Sequence, residues 1–360
     1  MNRGFWSELK KPIMVLAPMA NVTDAAFRRI IAKYGKPDVF WTEFVSVEGL
    51  LSVGREKLLI DFWHTKEEKP IVAQIFGGKP EQFYEVAKLC VELGFDGIDI
   101  NMGCPDKGVE KSGGGAALIK DPARAQEIIL AIKGGVRDVG SAIPVSVKTR
   151  LGYNKNELET WVQALLKAEP AVITMHLRTR KEMSKVPAHW DQMRTMVELV
   201  TRYTNRDTRP LLFGNGDVMS VEEARMKVAE TGADGVMLGR AIFGNPWLFA
   251  KDPYSNVLEN IGVSERLQVM VEHTKLFEEL YGLNSSFSKG GGRRPEDLNP
   301  SRLRRTPFTK GRIKPFDLMK KHYKAYCNGF DGAKELRVKL MEAETAAEVE
   351  ELVSLFLKKS

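Results

Sequence analysis

Three cysteines in 360 residues, Cys90, Cys104 and Cys327, sit at spacings that build neither a disulfide framework nor a CxxC metal site. A structural zinc, an iron–sulfur cluster or any other metal is therefore not expected. Apolar runs are also short. None approaches the roughly 18 residues that cross a bilayer, so membrane insertion is not expected. The first residues, Met1-Asn2-Arg3-Gly4-Phe5-Trp6, carry neither the apolar core of a secretory signal nor a long Arg/Ser-rich presequence, and we expect a cytoplasmic protein. No GxGxxG follows the first apolar run, which argues against a doubly wound dinucleotide-binding sheet. What remains, with 43% hydrophobic and 28% charged residues, is an ordinary globular composition.

Charge is present in excess but only locally. Between Lys289 and Lys321 eleven basic residues face three acidic ones, a surplus of eight against a net charge of +7 for the whole chain. The remaining residues therefore sum to about −1. A surplus confined to one stretch, including Arg302, Arg304 and Arg305, suits a polyanionic partner better than general solubility.

Short runs rich in β-branched residues recur with helical-period segments between them. Eight read as strands: Met14 to Ala17, Val39 to Thr42, Ile71 to Ile75, Gly97 to Asn101, Val145 to Lys148, Ala171 to His176, Leu211 to Gly214 and Gly235 to Leu238. Helices over Glu81 to Leu93 and Val221 to Glu230 fill two of the gaps. Eight βα units in this length predict an α/β fold, a (β/α)8 TIM barrel over residues 1–250. A smaller all-helical domain over 251–360 follows, with helices expected at Glu265 to Tyr281, Phe316 to Asn328 and Ala346 to Lys358 and a basic insertion at about 282–315.

Barrel active sites lie at the C-terminal strand ends, and those positions here carry Pro18-Met19, Gln74, Asn101 with Cys104, Lys148, His176, Asn215-Gly216-Asp217 and Gly239-Arg240. The stretch Asn101-Met102-Gly103-Cys104-Pro105 sets one thiol on a loop after a buried strand. The run Gly113-Gly114-Gly115 behind it is expected to act as a hinge. A buried structural cysteine is the plainer reading of that pentapeptide alone. Gly214 to Asp217 and Gly239-Arg240 offer backbone N–H groups of the kind that hold a phosphate in such barrels.

Taken together, Ala17-Pro18-Met19-Ala20, Asn101-Met102-Gly103-Cys104-Pro105, Lys148-Thr149-Arg150, His176-Leu177-Arg178-Thr179-Arg180, Asn215-Gly216-Asp217 and Gly239-Arg240 resemble the tRNA-dihydrouridine synthases. The likeness resumes at Lys320 to Tyr323 and Gly329 to Arg337, which are similar to that family's helical tail. It implies a flavoenzyme that reduces the C5–C6 double bond of particular uridines in tRNA, using FMN reduced by NADPH or NADH. Carried over, Pro18, Met19 and Ala20 would border the flavin, and Gln74 and Lys148 would bond its pyrimidine edge. His176 would lie toward the phosphate side, and Asn215, Gly216, Asp217, Gly239 and Arg240 would hold the phosphate. Hydride would pass from flavin N5 to C6, with Cys104 giving the proton to C5. Asn101 would orient the uracil, and Arg178 would contact substrate or nucleic acid.

The stretch between Tyr281 and Pro315 does not align with the family pattern. Two other functions fit parts of the sequence. A small-molecule FMN barrel oxidoreductase of the dihydroorotate dehydrogenase type would share the phosphate loops but has no use for a basic helical tail. An RNA-binding protein keeping an inactive barrel would have no use for Cys104 and Lys148. A monomer is expected.

Overall fold

The computed structural model describes residues 2–205, 208–252, 257–282 and 313–359. The chain divides into two compact units. Met1–Ala20, Asp38–Trp63 and Lys69–Gly239 make the first; Asn21–Pro37, His64–Glu68 and Arg240–Ser360 make the second.

Unit one is a parallel sheet curled into a ring. Its strands are β1 (Ile13–Leu16), β2 (Phe40–Trp41), β3 (Val45–Ser46), β4 (Ile71–Phe76), β5 (Gly97–Met102), β6 (Val145–Arg150), β7 (Val172–His176), β8 (Leu211–Asn215) and β9 (Gly235–Leu238). They run in the order β1-β9-β8-β7-β6-β5-β4-β2, every pairing parallel, and β3 also pairs with β4. β2 and β3 thus share one position of an eight-position barrel. A parallel bridge between Val15 and Val39 brings β1 beside the start of β2 and nearly closes the ring. Strands covered on both faces read as almost continuous apolar runs, and β1, β5, β8 and β9 are buried throughout. Each expected strand is present, its ends within about two residues of those read from pattern.

Local signals explain where the helices begin and stop. The helix Pro80–Glu92 has its proline in the first turn, where the missing N–H costs nothing. The helix Val221–Thr231 is capped by Ser220, whose hydroxyl accepts from Glu223 N at 3.0 Å, and it ends at Gly232 with φ +75°. A short 3-10 turn, Gly4–Glu8, plugs the core at the N-terminal strand ends. Trp6 there packs 5.7 Å from Trp41 and 5.6 Å from Phe213, ring centre to ring centre.

Unit two is helical. The helices are Ala25–Tyr34, Val263–Tyr281, Lys320–Tyr326, Ala333–Leu340 and Ala346–Leu357, with the 3-10 turn Phe316–Met319 running into the third. The helix Ala333–Leu340 falls in the stretch that resembles the family's helical tail, although it is not among the three helices read from pattern; it buries Ala333, Leu336 and Leu340. Arg28 and Glu68 form a wholly buried ion pair at 2.6 Å. Around Phe27 the rings of His273 and His322 pack at 4.8 and 4.7 Å. Of the basic stretch, residues 289–312 lie outside the described residues. Among the described ones, Lys320 pairs with Asp317 at 2.6 Å and Lys314 lies over the Tyr281 ring. No helix among the described residues is long and apolar enough to cross a membrane.

Candidate active site

Alternation along β5 sends Asp99 and Asn101 to one face, and parallel pairing sets Gln74 opposite Asp99. The three are buried and hydrogen-bonded in series. Ser146 Oγ donates to Asp99 Oδ1 at 2.6 Å, and Gln74 Nε2 donates to Asp99 Oδ2 at 2.7 Å. Asn101 Nδ2 then donates to Gln74 Oε1 at 3.1 Å. The far end of Asn101, Oδ1, accepts from the backbone N–H of Gly103 at 3.1 Å and of Cys104 at 2.9 Å. A carboxylate only accepts, so Asp99 dictates which way each amide in the row is turned. Burial pushes the Asp99 carboxyl up to about 6, against the pull of its hydrogen bonds.

Cys104 leaves this row on a half-buried loop, while Cys90 and Cys327 are fully buried in the cores of their units. Burial raises the Cys104 thiol above its ordinary value. It is held protonated near neutral pH, as a proton donor must be. Behind it Gly115 has φ +58°, and a Cβ there would meet Cys104 O at 2.7 Å; Cys104 O accepts from Ala116 N at 3.0 Å. Gly114 sits equally close to the backbone of Gly77. The expected hinge is thus a packed seat in this structure: its glycines admit backbone to backbone.

On β6, Lys148 and Arg150 are two residues apart and share a face. Lys148 Nζ donates to Asn215 Oδ1 at 3.1 Å, and Asn215 Nδ2 is fixed by Met237 O at 2.7 Å. Burial, with the like charge of Arg150 second, pulls the Lys148 ammonium down to about 8. Arg150 itself is lowered to about 10, chiefly by burial. Its Nε donates to Gly103 O at 2.7 Å, and its Nη1 donates to Thr179 O at 3.2 Å and Met183 O at 3.1 Å.

His176 and Arg178 stand at the mouth of β7. Arg178 is almost wholly buried: it pairs with the Asp217 carboxylate, reaches Val186 O at 2.5 Å, and lies 3.2 Å from His176 Nε2. A guanidinium only donates, so His176 Nε2 is the unprotonated ring nitrogen. Asp217 also accepts from Ala188 N at 2.8 Å. Gly216, at φ +134°, would place a Cβ 2.8 Å from Ala188 Cβ, so this bend between Asn215 and Asp217 requires glycine. Pro18 and Met19 are half-buried beyond β1, and Ala20 is exposed. Gly239 faces Ala17 and the Met19 sulfur only at ordinary contact distances. Arg240 is exposed in a 3-10 turn, Arg240–Ile242, that belongs to unit two.

The first unit therefore brings Gln74, Asn101, Cys104, Lys148, His176, Arg178, Asn215, Gly216 and Asp217 to one end of the barrel. Two placements were not foreseen. Gln74 has no exposed surface, both ends of its amide serving the buried row, and Arg178 is engaged by Asp217. Asp99, Arg150, Glu110 and Arg180 were not assigned roles from sequence. Arg150 could have been found, because two-residue alternation puts it beside Lys148.

A model of the family described as Dihydrouridine synthase (Dus) matches residues 15–290. The chain belongs to the dihydrouridine synthase family. Over 362 residues it is 38% identical to the "Probable tRNA-dihydrouridine synthase 2" of Bacillus subtilis (strain 168), covering 100% of this chain and 98% of that protein. It is 37% identical over 363 residues to the "Probable tRNA-dihydrouridine synthase" of Staphylococcus aureus (strain MRSA252), covering 99% and 96%. Among solved structures, histamine dehydrogenase from Rhizobium sp. 4-9 superposes with a TM-score of 0.52 over 73% of this chain and 49% of that one, at 13% identity. That last likeness is one of fold alone. In this dihydrouridine synthase the donor set suits an anionic, phosphate-bearing ring cofactor. Lys148 supplies a cation and Gly239 leaves side-chain space unfilled; Thr174 Oγ1, in register with Lys148, is buried with no partner.

Proposed function

We propose that this dihydrouridine synthase reduces the C5–C6 double bond of uridine in tRNA with Cys104 as the acid. The observation that carries the reading is the buried row from Asp99 to the Cys104 amide, ending in a protonated thiol. A uridine in folded tRNA must leave its stack to reach a barrel mouth, so the substrate nucleotide is turned out into the pocket. When bound, FMN supplies hydride to C6 of that uracil. Cys104 Sγ releases its proton to C5 as negative charge gathers there, and the Arg150 guanidinium beside it eases the thiolate left behind. Asn101 orients both the loop and the uracil.

Lys148 would hold positive charge against the pyrimidine edge of the flavin, with Gln74 supporting that wall through Asn101. Pro18, Met19 and Ala20 would border the ring, and the backbone N–H groups of Asn215, Gly216, Asp217 and Gly239 would hold the phosphate together with Arg240. His176 stands on the phosphate side, and Arg178 bears on the substrate through His176 and Asp217. NADPH or NADH is the proposed reductant and the cytoplasm the proposed compartment. Residues 1–250 are read as the catalytic part, and residues 251–360, with their basic stretch, as the tRNA-holding part.

The test is nucleoside mass spectrometry of tRNA lacking dihydrouridine after incubation with the protein, FMN and NADPH. Uridine gaining two hydrogens, and Cys104→Ala keeping flavin while losing most of that gain, is the expected result. NADPH consumed with no change in tRNA would redirect the assignment to a small-molecule substrate, and full activity in Cys104→Ala would remove the acid.

A further inference from the structure

Beside the strand-end site, unit one has an open cavity of about 570 Å³ between the loops that follow β6 and β7. Lys155, Lys181 and Lys185 line it with Asn154 and Asn156, and the one acidic lining residue is Glu182. All three lysines are exposed, and none forms an ion pair with a described residue. Glu182 is already spent: it accepts from Thr179 N at 2.7 Å, Thr179 Oγ1 at 3.0 Å and His189 Nε2 at 3.0 Å. The cavity is therefore a concentration of uncompensated positive charge in a chain whose net charge outside its basic stretch is about −1.

The floor is rigid and joined to the reaction centre. Arg180 N donates to Gly152 O and Lys181 N to Tyr153 O, each at 2.9 Å, which zips the two loops together. Arg150 ties the same floor, at Thr179 O and Met183 O, to Gly103 O beside the thiol. We propose that this cavity is a phosphate-contact site for the backbone of the RNA substrate, placed in the barrel unit itself. The proposal rests on the tRNA-reduction reading and extends it. No Phe, Tyr or Trp lines the cavity, and its one ring, His189, is tied by Nε2 to Glu182 at 3.0 Å; the lysines therefore offer contacts to phosphates, which carry no sequence information.

The test compares flavin-loaded full-length protein with the Lys155→Ala/Lys181→Ala/Lys185→Ala variant, titrating tRNA across a range of salt. The variant should keep its flavin content and unfolding midpoint. Its tRNA affinity should fall about tenfold or more at low salt, and the slope of log affinity against log salt should flatten by about 2 to 3, since each phosphate contact contributes about 0.7 to 0.9. If the triple variant does not fold, each single substitution should flatten the slope by one such increment. An unchanged isotherm and slope would overturn the cavity assignment alone. So would a raised KM for NADPH with tRNA binding intact, which would give the lysines to the dinucleotide. Wild-type protein that does not bind tRNA would overturn the functional reading and the cavity with it.

Discussion

A carboxylate that can only accept hydrogen bonds sets the orientation of Gln74 and Asn101, and through them of the Cys104 loop. Replacing Asn101 with Ala strands Gln74 Oε1 and frees the Gly103 and Cys104 amides; we expect flavin to remain bound and kcat for uridine reduction to fall about 10- to 100-fold. Lys148 raises a different issue. Its ammonium is pulled down to about 8, so between that value and the ordinary lysine value the folded protein holds fewer protons than the unfolded chain. Its charge at neutral pH therefore costs stability, and the cost is relieved as pH rises from about 8 toward the ordinary lysine value. Activity should move the other way, because the useful cation disappears over the same window. Flavin reduction by NADPH is expected to decline as pH rises through about 8. Lys148→Arg, which keeps its charge, should shift that decline upward, and Lys148→Met should raise the stability of the flavin-free protein by about 1–3 kcal/mol at pH 7 while slowing reduction. Stopped-flow absorbance and thermal unfolding across pH give both readings; a Lys148→Met variant no more stable than wild type would mean the buried charge is compensated.

The loop that carries Cys104 is held as an element from two sides. Arg150 grips Gly103 O, and Arg180 makes a forked pair with Glu110 at 2.8 and 2.5 Å while its Nη2 also reaches Pro105 O at 3.3 Å. Glu110 lies in the short helix Lys107–Lys111, whose start is capped by Asp106, so the pair fixes the helix that the thiol leads into. A double-mutant cycle over Arg180→Ala and Glu110→Ala should return a coupling of about 1–2 kcal/mol in kcat/KM for tRNA. Additive effects would leave the two groups independent. The strands of the barrel and the residues at their ends were legible because short β-branched apolar runs and polar strand ends are local signals. The contact of Arg180 with Glu110 joins positions 70 apart, and nothing local distinguishes Arg178 from Arg180 in His176-Leu177-Arg178-Thr179-Arg180. The structure separates them: one turns to Asp217, the other to Glu110. Burial of Gln74 was illegible for the same reason, since its partners Asp99 and Asn101 arrive from another strand. The helix Ala333–Leu340 is only eight residues long and half charged, and its buried Ala333, Leu336 and Leu340 give too short a helical period to stand out from pattern alone.

For the molecule as a whole, the two units differ in how they should meet acid. The helical unit encloses His273 and His322, fully buried, with their rings 4.7 Å apart among Phe27, Phe243 and Tyr326. Neither His273 nitrogen has a hydrogen-bond partner, and His322 Nδ1 has none. Burial pulls His273 down to about 3 and His322 well below its ordinary value, where His273 and Lys321 add to the effect. Below about pH 6.5 the unfolded chain therefore binds protons that the folded unit refuses, and stability falls as pH falls. Asp24, whose carboxyl is raised by burial, works in the opposite direction and offsets part of the loss. His273 is worth about 2 kcal/mol at pH 5, and His322 acts in the same direction. We expect the helical unfolding midpoint to drop between pH 7 and pH 5, with His273→Phe reducing the slope because a ring of similar shape replaces one proton acceptor. The readout is far-ultraviolet circular dichroism across pH, with flavin absorbance following the barrel unit in the same samples. A midpoint that does not move between those pH values would mean that the folded unit does not hold the two histidines unprotonated, and the assignment would fall.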